Sequence, residues 1–195
     1  MVVLILNWVG GFFGTTVGSK NKEDNMGVMY LVSGFSGSGK TYFCKTVMSS
    51  MNVRYFNIDD FYRTFNSDGS HNNEFEVWIT FFQAIHAAAI NNQDIIVETN
   101  ALDYVDRQQF INWFPEFEAH HLIWIGAPYE RALCNNNMRL RVIPENQMAN
   151  MWKRIELPVK EKEKGWDSIR YFWNENNNGF EELDLDNFWI KYASF

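Results

Sequence analysis

The stretch Gly34-Phe35-Ser36-Gly37-Ser38-Gly39-Lys40-Thr41 decides how this chain reads. It spells G-x-x-x-x-G-K-T and follows the apolar run Val28-Met29-Tyr30-Leu31-Val32, so a strand runs into a glycine-rich turn that opens a helix. Glycines at 34, 37 and 39 allow backbone torsions that a Cβ forbids, which lets successive N–H groups point inward around phosphate oxygens. Phe35, Ser36 and Ser38 complete the set of loop residues placed to bind nucleotide. Lys40 supplies charge to the β- and γ-phosphates and Thr41 offers its hydroxyl to Mg²⁺, while the helix starting there aims its positive end at the same anion. The expected cofactors are ATP and Mg²⁺.

With 195 residues, 46% of them hydrophobic, the chain can bury one substantial core, and no internal repeat breaks that reading. Cys44 and Cys134 lie far apart with no C-x-x-C, so neither a disulfide framework nor a zinc site is indicated, and a reducing, cytoplasmic setting is expected. His120 and His121 are neighbours on an expected strand, point to opposite faces and cannot share one metal. A net charge of −7 argues against a wide nucleic-acid surface, yet it permits gripping a short end or one nucleotide. Arg139, Arg141, Lys153, Arg154, Lys160, Lys162 and Lys164 crowd the C-terminal third. Interleaved with Glu156, Glu161 and Glu163, the lysines read as a solvated helix face.

Residues 1–25 read as a non-core extension. The apolar stretches Val2 to Leu6 and Trp8 to Phe13 are short and broken by Asn7, Gly10 and Gly11, and they lack the positive start of a signal peptide, so no membrane partner is expected. An anchor for a membrane or a partner is the alternative. A domain over 26–173 follows, then a tail over 174–195 whose Phe180, Leu183, Leu185, Phe188, Trp189, Tyr192 and Phe195 predict packing back on the body.

Apolar runs alternate with helical stretches, the pattern of a parallel sheet covered on both faces. Strands are expected at 28–33, 53–58, 94–98 and 120–125, with a weaker one at 167–173. Helices are expected at 40–51, 75–91, 106–114, 128–138 and 145–156, with Pro128 in a first turn and Pro144 at the start of the next helix. Residues 64–74 read as an exposed loop, and Asn135 to Ile143 as a mobile connection. The fold expected is a three-layer α/β/α sandwich with a mostly parallel central sheet of about five strands.

In such sheets the ligand lies beyond the carboxyl ends of the strands, which singles out three places. After the second strand come Asp59 and Asp60, candidates to take the proton of an attacking hydroxyl, with Asp59 preferred, and Arg63, whose fork suits an acceptor phosphate or carboxylate. A plain helix cap is the other reading of the aspartates. After the third strand come Glu98, able to order a water on Mg²⁺, and Thr99 and Asn100, able to touch substrate. On the connection after the fourth helix, Arg139, with Arg141 beside it, can cover the transferring group and exclude water.

In this order the segments resemble the kinase domain of the polynucleotide 5′-hydroxyl kinase family, within the P-loop kinases that include zeta-toxin-like proteins. The resemblance covers about residues 27–173. It rests on Gly34 to Thr41, on Asp59-Asp60-Phe61-Tyr62-Arg63, on Glu98-Thr99-Asn100 where the family has Asp-Thr-Asn, and on Pro128-Tyr129 with Arg139 ahead of Ile143-Pro144. Glu156-Leu157-Pro158 and Lys164-Gly165-Trp166-Asp167-Ser168-Ile169 are similar to the pattern leading into the last strand of these kinases. The resemblance implies Asp59 as base, Arg63 on the acceptor, Arg139 on a lid, and transfer of the ATP γ-phosphate to a 5′-hydroxyl. Asn135-Asn136-Asn137 stand where a basic residue would help, and no Asp-x-Asp-Gly-Thr phosphatase signature occurs. A small-molecule or nucleotide kinase, and a nucleotide-binding switch that docks partners, are the alternative functions. The sequence leaves the oligomeric state open.

Overall fold

The computed structural model describes residues 26–65, 74–139, 141–175 and 179–194. The extension over 1–25 and most of the loop expected at 64–74 lie outside them. Strand β1 (Val28–Gly34) has only its first residue partly exposed, as a run without polar alternation requires. Its side chains divide by parity. Met29 and Leu31 enter one core with Phe81, Ile85 and Phe110, whereas Tyr30 and Val32 enter another with Phe43, Cys44 and Met48.

The strands β2 (Arg54–Asn57), β3 (Ile95–Glu98), β4 (Ala119–Gly126), β5 (Ser168–Trp173) and β6 (Glu181–Leu183) complete a six-stranded sheet in the order β2-β3-β1-β4-β5-β6. The first five are parallel, and β6 pairs antiparallel with β5 through Tyr171 and Leu183. Because β1 lies between β3 and β4, the chain leaves its carboxyl end at the point where connections turn to opposite sides. A crevice opens there.

Helix α1 (Lys40–Thr46) covers the Tyr30 face through Phe43 and Cys44. Helix α2 (Ile58–Phe65) starts directly at the end of β2 and takes in Ile58, which the apolar pattern places in the strand; the short helix offered as the other reading of the aspartates is present, with Asp59 and Asp60 in its first turn where they suit the helix dipole. Helices α3 (Glu74–Ile90) and α4 (Tyr104–Trp113) cover the Met29 face. Helix α5 (Tyr129–Asn137), which Pro128 caps rather than occupying its first turn, and helix α6 (Glu145–Lys153), capped by Pro144 at its start, pack with Trp124, Tyr171 and Trp173. The tail contributes β6 and helix α7 (Leu185–Ala193), whose fully buried Phe188 lies so close to Gly126 that a Cβ there would meet its ring at 2.3 Å. The fold is a three-layer α/β/α arrangement around a mostly parallel sheet.

Residues 156–167 form turns, not the solvated helix face expected of the lysine-rich stretch. Glu163 is 4% exposed and pairs with the equally buried Arg107 of α4, Nε to Oε1 at 2.8 Å. Arg107 also donates to the carbonyls of Leu102 at 3.1 Å and Glu156 at 2.9 Å, fastening the turn after β3 to the segment after α6. No helix among the described residues is long and apolar enough to cross a membrane.

Candidate active site

The glycine-rich loop is shaped by what crowds it. Gly34 has φ +138°, and a Cβ on it would lie 2.2 Å from the Ile125 carbonyl oxygen of β4. Gly37 has φ +84°, and a Cβ there would lie 2.2 Å from the Ala132 carbonyl oxygen of α5. No other residue type fits either position. Asn135 Nδ2 donates to the Gly37 carbonyl at 2.8 Å, and Asn174 Nδ2 donates to the Ser38 carbonyl at 2.9 Å, so the loop is tied to helix α5 on one side and to the end of β5 on the other. The Ser38 hydroxyl is fully buried and has no partner among the described residues. Phe35 is buried and packs edge-on against Trp152 of α6 at 5.1 Å.

Lys40, 6% exposed, donates to the carbonyls of Gly34 at 2.8 Å and Phe35 at 2.9 Å and to Asn100 Oδ1 at 3.0 Å. Burial pushes its ammonium down to about 8, against the pull of the nearby Glu98 carboxylate. Asn100 is held in turn: its carbonyl accepts from Ser33 Oγ at 2.5 Å and from the Gly34 N–H at 3.1 Å. The next residue, Ala101, has φ +34°, a left-handed conformation that a non-glycine residue holds only when its surroundings fix it. Ser33 Oγ, 3.0 Å from the Ala101 carbonyl, and Arg107 on the neighbouring Leu102 carbonyl do so.

Thr41 Oγ1 donates to Glu98 Oε1 at 2.6 Å. The other carboxylate oxygen accepts from the Tyr55 hydroxyl and from Asn57 Nδ2, the latter at 3.0 Å. Strand register explains the meeting, since Asn57 stands opposite Glu98 in the β2–β3 pairing. Asn57 Oδ1 also accepts the Asp59 N–H at 2.8 Å, tying the start of α2 to the same cluster. A Thr hydroxyl and a carboxylate are hard oxygen donors of the kind Mg²⁺ takes, and they lie where the first turn of α1 points its N–H groups. Among the described residues no three His, Cys, Asp or Glu side chains gather as a cage for a metal. A cation here would therefore complete its shell with phosphate and water oxygens.

A cleft of about 1080 Å³ opens over the loop. It brings together Lys40, Thr41, Asp59, Arg63, Glu98 and Arg139, and Ser36, Gly37, Gly39, Thr99 and Asn100 also line it. Arg139 Nη1 lies 3.1 Å from Ser36 Oγ. Asp60 is not on the cleft wall: it turns outward and pairs with Arg63 Nη2 at 2.6 Å, both side chains about half exposed or more. The site residues that sequence reading passed over are Tyr55, Asn57, Arg131, Asn135, Asn174 and Phe180, of which Arg131, Asn135, Asn174 and Phe180 line the loop side of the cleft. The alternation of Tyr55 and Asn57, two apart on one strand face, was the one readable signal. Asn136 has a different task. Fully buried, it donates from Nδ2 to the Ile143 carbonyl at 2.8 Å and accepts the Ile143 N–H at 3.0 Å, pinching the neck of the turn that carries Arg139 and Arg141.

No family model matches the chain, and no curated protein matches it. Solved structures do. One chain of the Pnkp1/Rnl/Hen1 RNA repair complex is similar at 16% identity and TM-score 0.62, over 71% of this chain and 47% of that one. A chain of AvrRxo1-ORF1:-ORF2 with ATP is similar at 12% identity and TM-score 0.66, over 88% of this chain and 64% of that one. A gluconokinase from Sinorhizobium meliloti 1021 is similar at 15% identity and TM-score 0.50, over 87% of this chain and 91% of that one. This chain thus spans about half to two thirds of the length of the first two and nearly all of the third. At such identities the likeness is one of fold, and the fold is that of the P-loop kinases.

Proposed function

We propose that the protein is an ATP- and Mg²⁺-dependent kinase that transfers the γ-phosphate to a hydroxyl at a nucleic-acid end. The observation that carries the reading is the convergence of Asp59 and Arg139 on the cleft that holds Lys40 and Thr41. A fold alone would not support it, since one fold hosts many chemistries.

The loop backbone and Lys40 hold the triphosphate, while Thr41 and Glu98 present oxygens to the divalent cation. That cation, when bound, neutralises charge that builds on the β- and γ-phosphates. Asp59 accepts the proton of the acceptor hydroxyl as its oxygen forms a bond to the γ-phosphorus; the bond between the γ-phosphorus and the β–γ bridging oxygen breaks, and ADP leaves with that oxygen. Arg139, from the lid turn, covers the transferring group with positive charge and keeps water out. Arg63 and Arg141 line the cleft as well and supply cationic contacts for the phosphate of a polynucleotide end.

The order of motifs and the likeness to a chain of an RNA repair complex support the nucleic-acid acceptor. A second reading, a small-molecule kinase, draws on the pairing of Arg63 with Asp60, which competes with an acceptor phosphate for the guanidinium, and on the near full-length match to a gluconokinase. Labelled ATP offered with a 5′-hydroxyl oligonucleotide, a nucleoside and a sugar separates the two. Label on the oligonucleotide is the expected result. Label confined to the sugar or nucleoside would overturn the acceptor, and acceptor-independent hydrolysis alone would favour a nucleotide-binding switch.

A further inference from the structure

The Glu98 carboxylate is bonded on both sides, and its two oxygens are held by different segments of the chain. Oε1 faces Thr41, the residue after the loop lysine. Oε2 is taken by Tyr55 and Asn57 of the edge strand β2, and Asn57 Nδ2 also donates to the Tyr55 hydroxyl oxygen at 3.0 Å, which closes a triangle of hydrogen bonds. With Glu98 only 6% exposed, a carboxylate free to rotate would expose Thr41 to either oxygen at random; three donors at set positions remove that freedom.

We propose that Tyr55 is a positioning residue for the divalent cation: its hydroxyl fixes one Glu98 oxygen so that the other faces Thr41 and a cation seated beside it. This rests on the reading of the site as a metal–nucleotide site. The residue's surroundings fit the task. The ring packs against the core beneath α1 and lies 6.0 Å from the Lys45 ammonium, so the hydroxyl is aimed by packing on both sides. A phenylalanine would fill the same space and leave Oε2 with Asn57 alone. Loss of a partner that orients a ligand from behind in this way typically costs about 10- to 100-fold in metal affinity or activity.

Tyr55→Phe isolates the hydroxyl, and the readout is binding rather than turnover. ATP affinity is measured by calorimetry in chelator and again across a Mg²⁺ series, with the melting temperature recorded alongside. The expected result is unchanged metal-free affinity and a Mg²⁺ concentration for half-effect raised about tenfold. An unchanged Mg²⁺ requirement, or equal weakening with and without the metal, would overturn the role of Tyr55 while leaving the kinase reading intact. Failure of the unaltered protein to bind ATP at all would overturn the kinase reading, and this role with it.

Discussion

Arg139 reaches across the cleft to Ser36, Nη1 to Oγ at 3.1 Å, joining the turn after α5 to the glycine-rich loop over a sequence separation of 103 residues. On the proposed mechanism this guanidinium acts on the transferring phosphate more than on the bound nucleotide. Arg139→Ala should lower kcat by about 10²- to 10³-fold and leave ATP affinity within a few-fold, by the usual effect of removing one charge-stabilising donor. Steady-state kinetics beside direct nucleotide binding checks this; equal loss in both would move Arg139 to ground-state binding.

The two adjacent aspartates should part company. Asp59 lines the cleft, whereas Asp60 faces outward to Arg63. Asp59→Asn should cost about 10²- to 10⁴-fold in kcat with ATP still bound, the range for loss of a general base. Asp60→Asn should remove only an exposed ion pair, worth about 1 kcal/mol at most. Full turnover in the Asp59 variant would transfer the base to another group.

On the proposed function, Lys40 should make nucleotide binding depend on pH. Burial holds its ammonium near 8 in the free protein, and a bound anion favours the charged form, so binding above that pH must draw a proton from solution. ATP affinity should be full below pH 8 and fall as pH rises through it. Calorimetry at about pH 9 in two buffers of different ionisation enthalpy should show proton uptake, by linkage. None would mean that Lys40 keeps its charge despite its burial.

Glu163 offers a test remote from the cleft. Glu163→Gln leaves the Arg107 guanidinium buried without its counter-charge, which should cost about 3–5 kcal/mol. In a chain of this size that lowers Tm by roughly 6–20 °C. A double change, Arg107→Met with Glu163→Leu, should recover part of the loss, because the buried charge is gone while the Leu102 and Glu156 carbonyls lose their donor. Thermal denaturation of both variants decides the matter.

The phosphate loop could be read directly because its chemistry is contiguous: eight consecutive residues carry the glycines, the charge and the hydroxyl. Strands β1, β3 and β4 were legible within a residue or two, since buried parallel strands are uninterrupted apolar runs. The three-residue β6, two of its side chains exposed, carries no such signal. Glu163 was misread because a carboxylate among lysines looks solvated until its partner, Arg107, is known to lie against it. Tyr55 and Asn57 join the site only because β2 pairs with β3, and strand order is a property of the folded sheet, not of any local pattern.

The absent side chain at Gly37 lets the loop lie directly against helix α5, where Ala132 stands in its way and Asn135 grips its carbonyl. The turn that bears Arg139 and the peptide at Gly37 are thus anchored on one helix, and under the proposed function a tilt of that helix would displace both together.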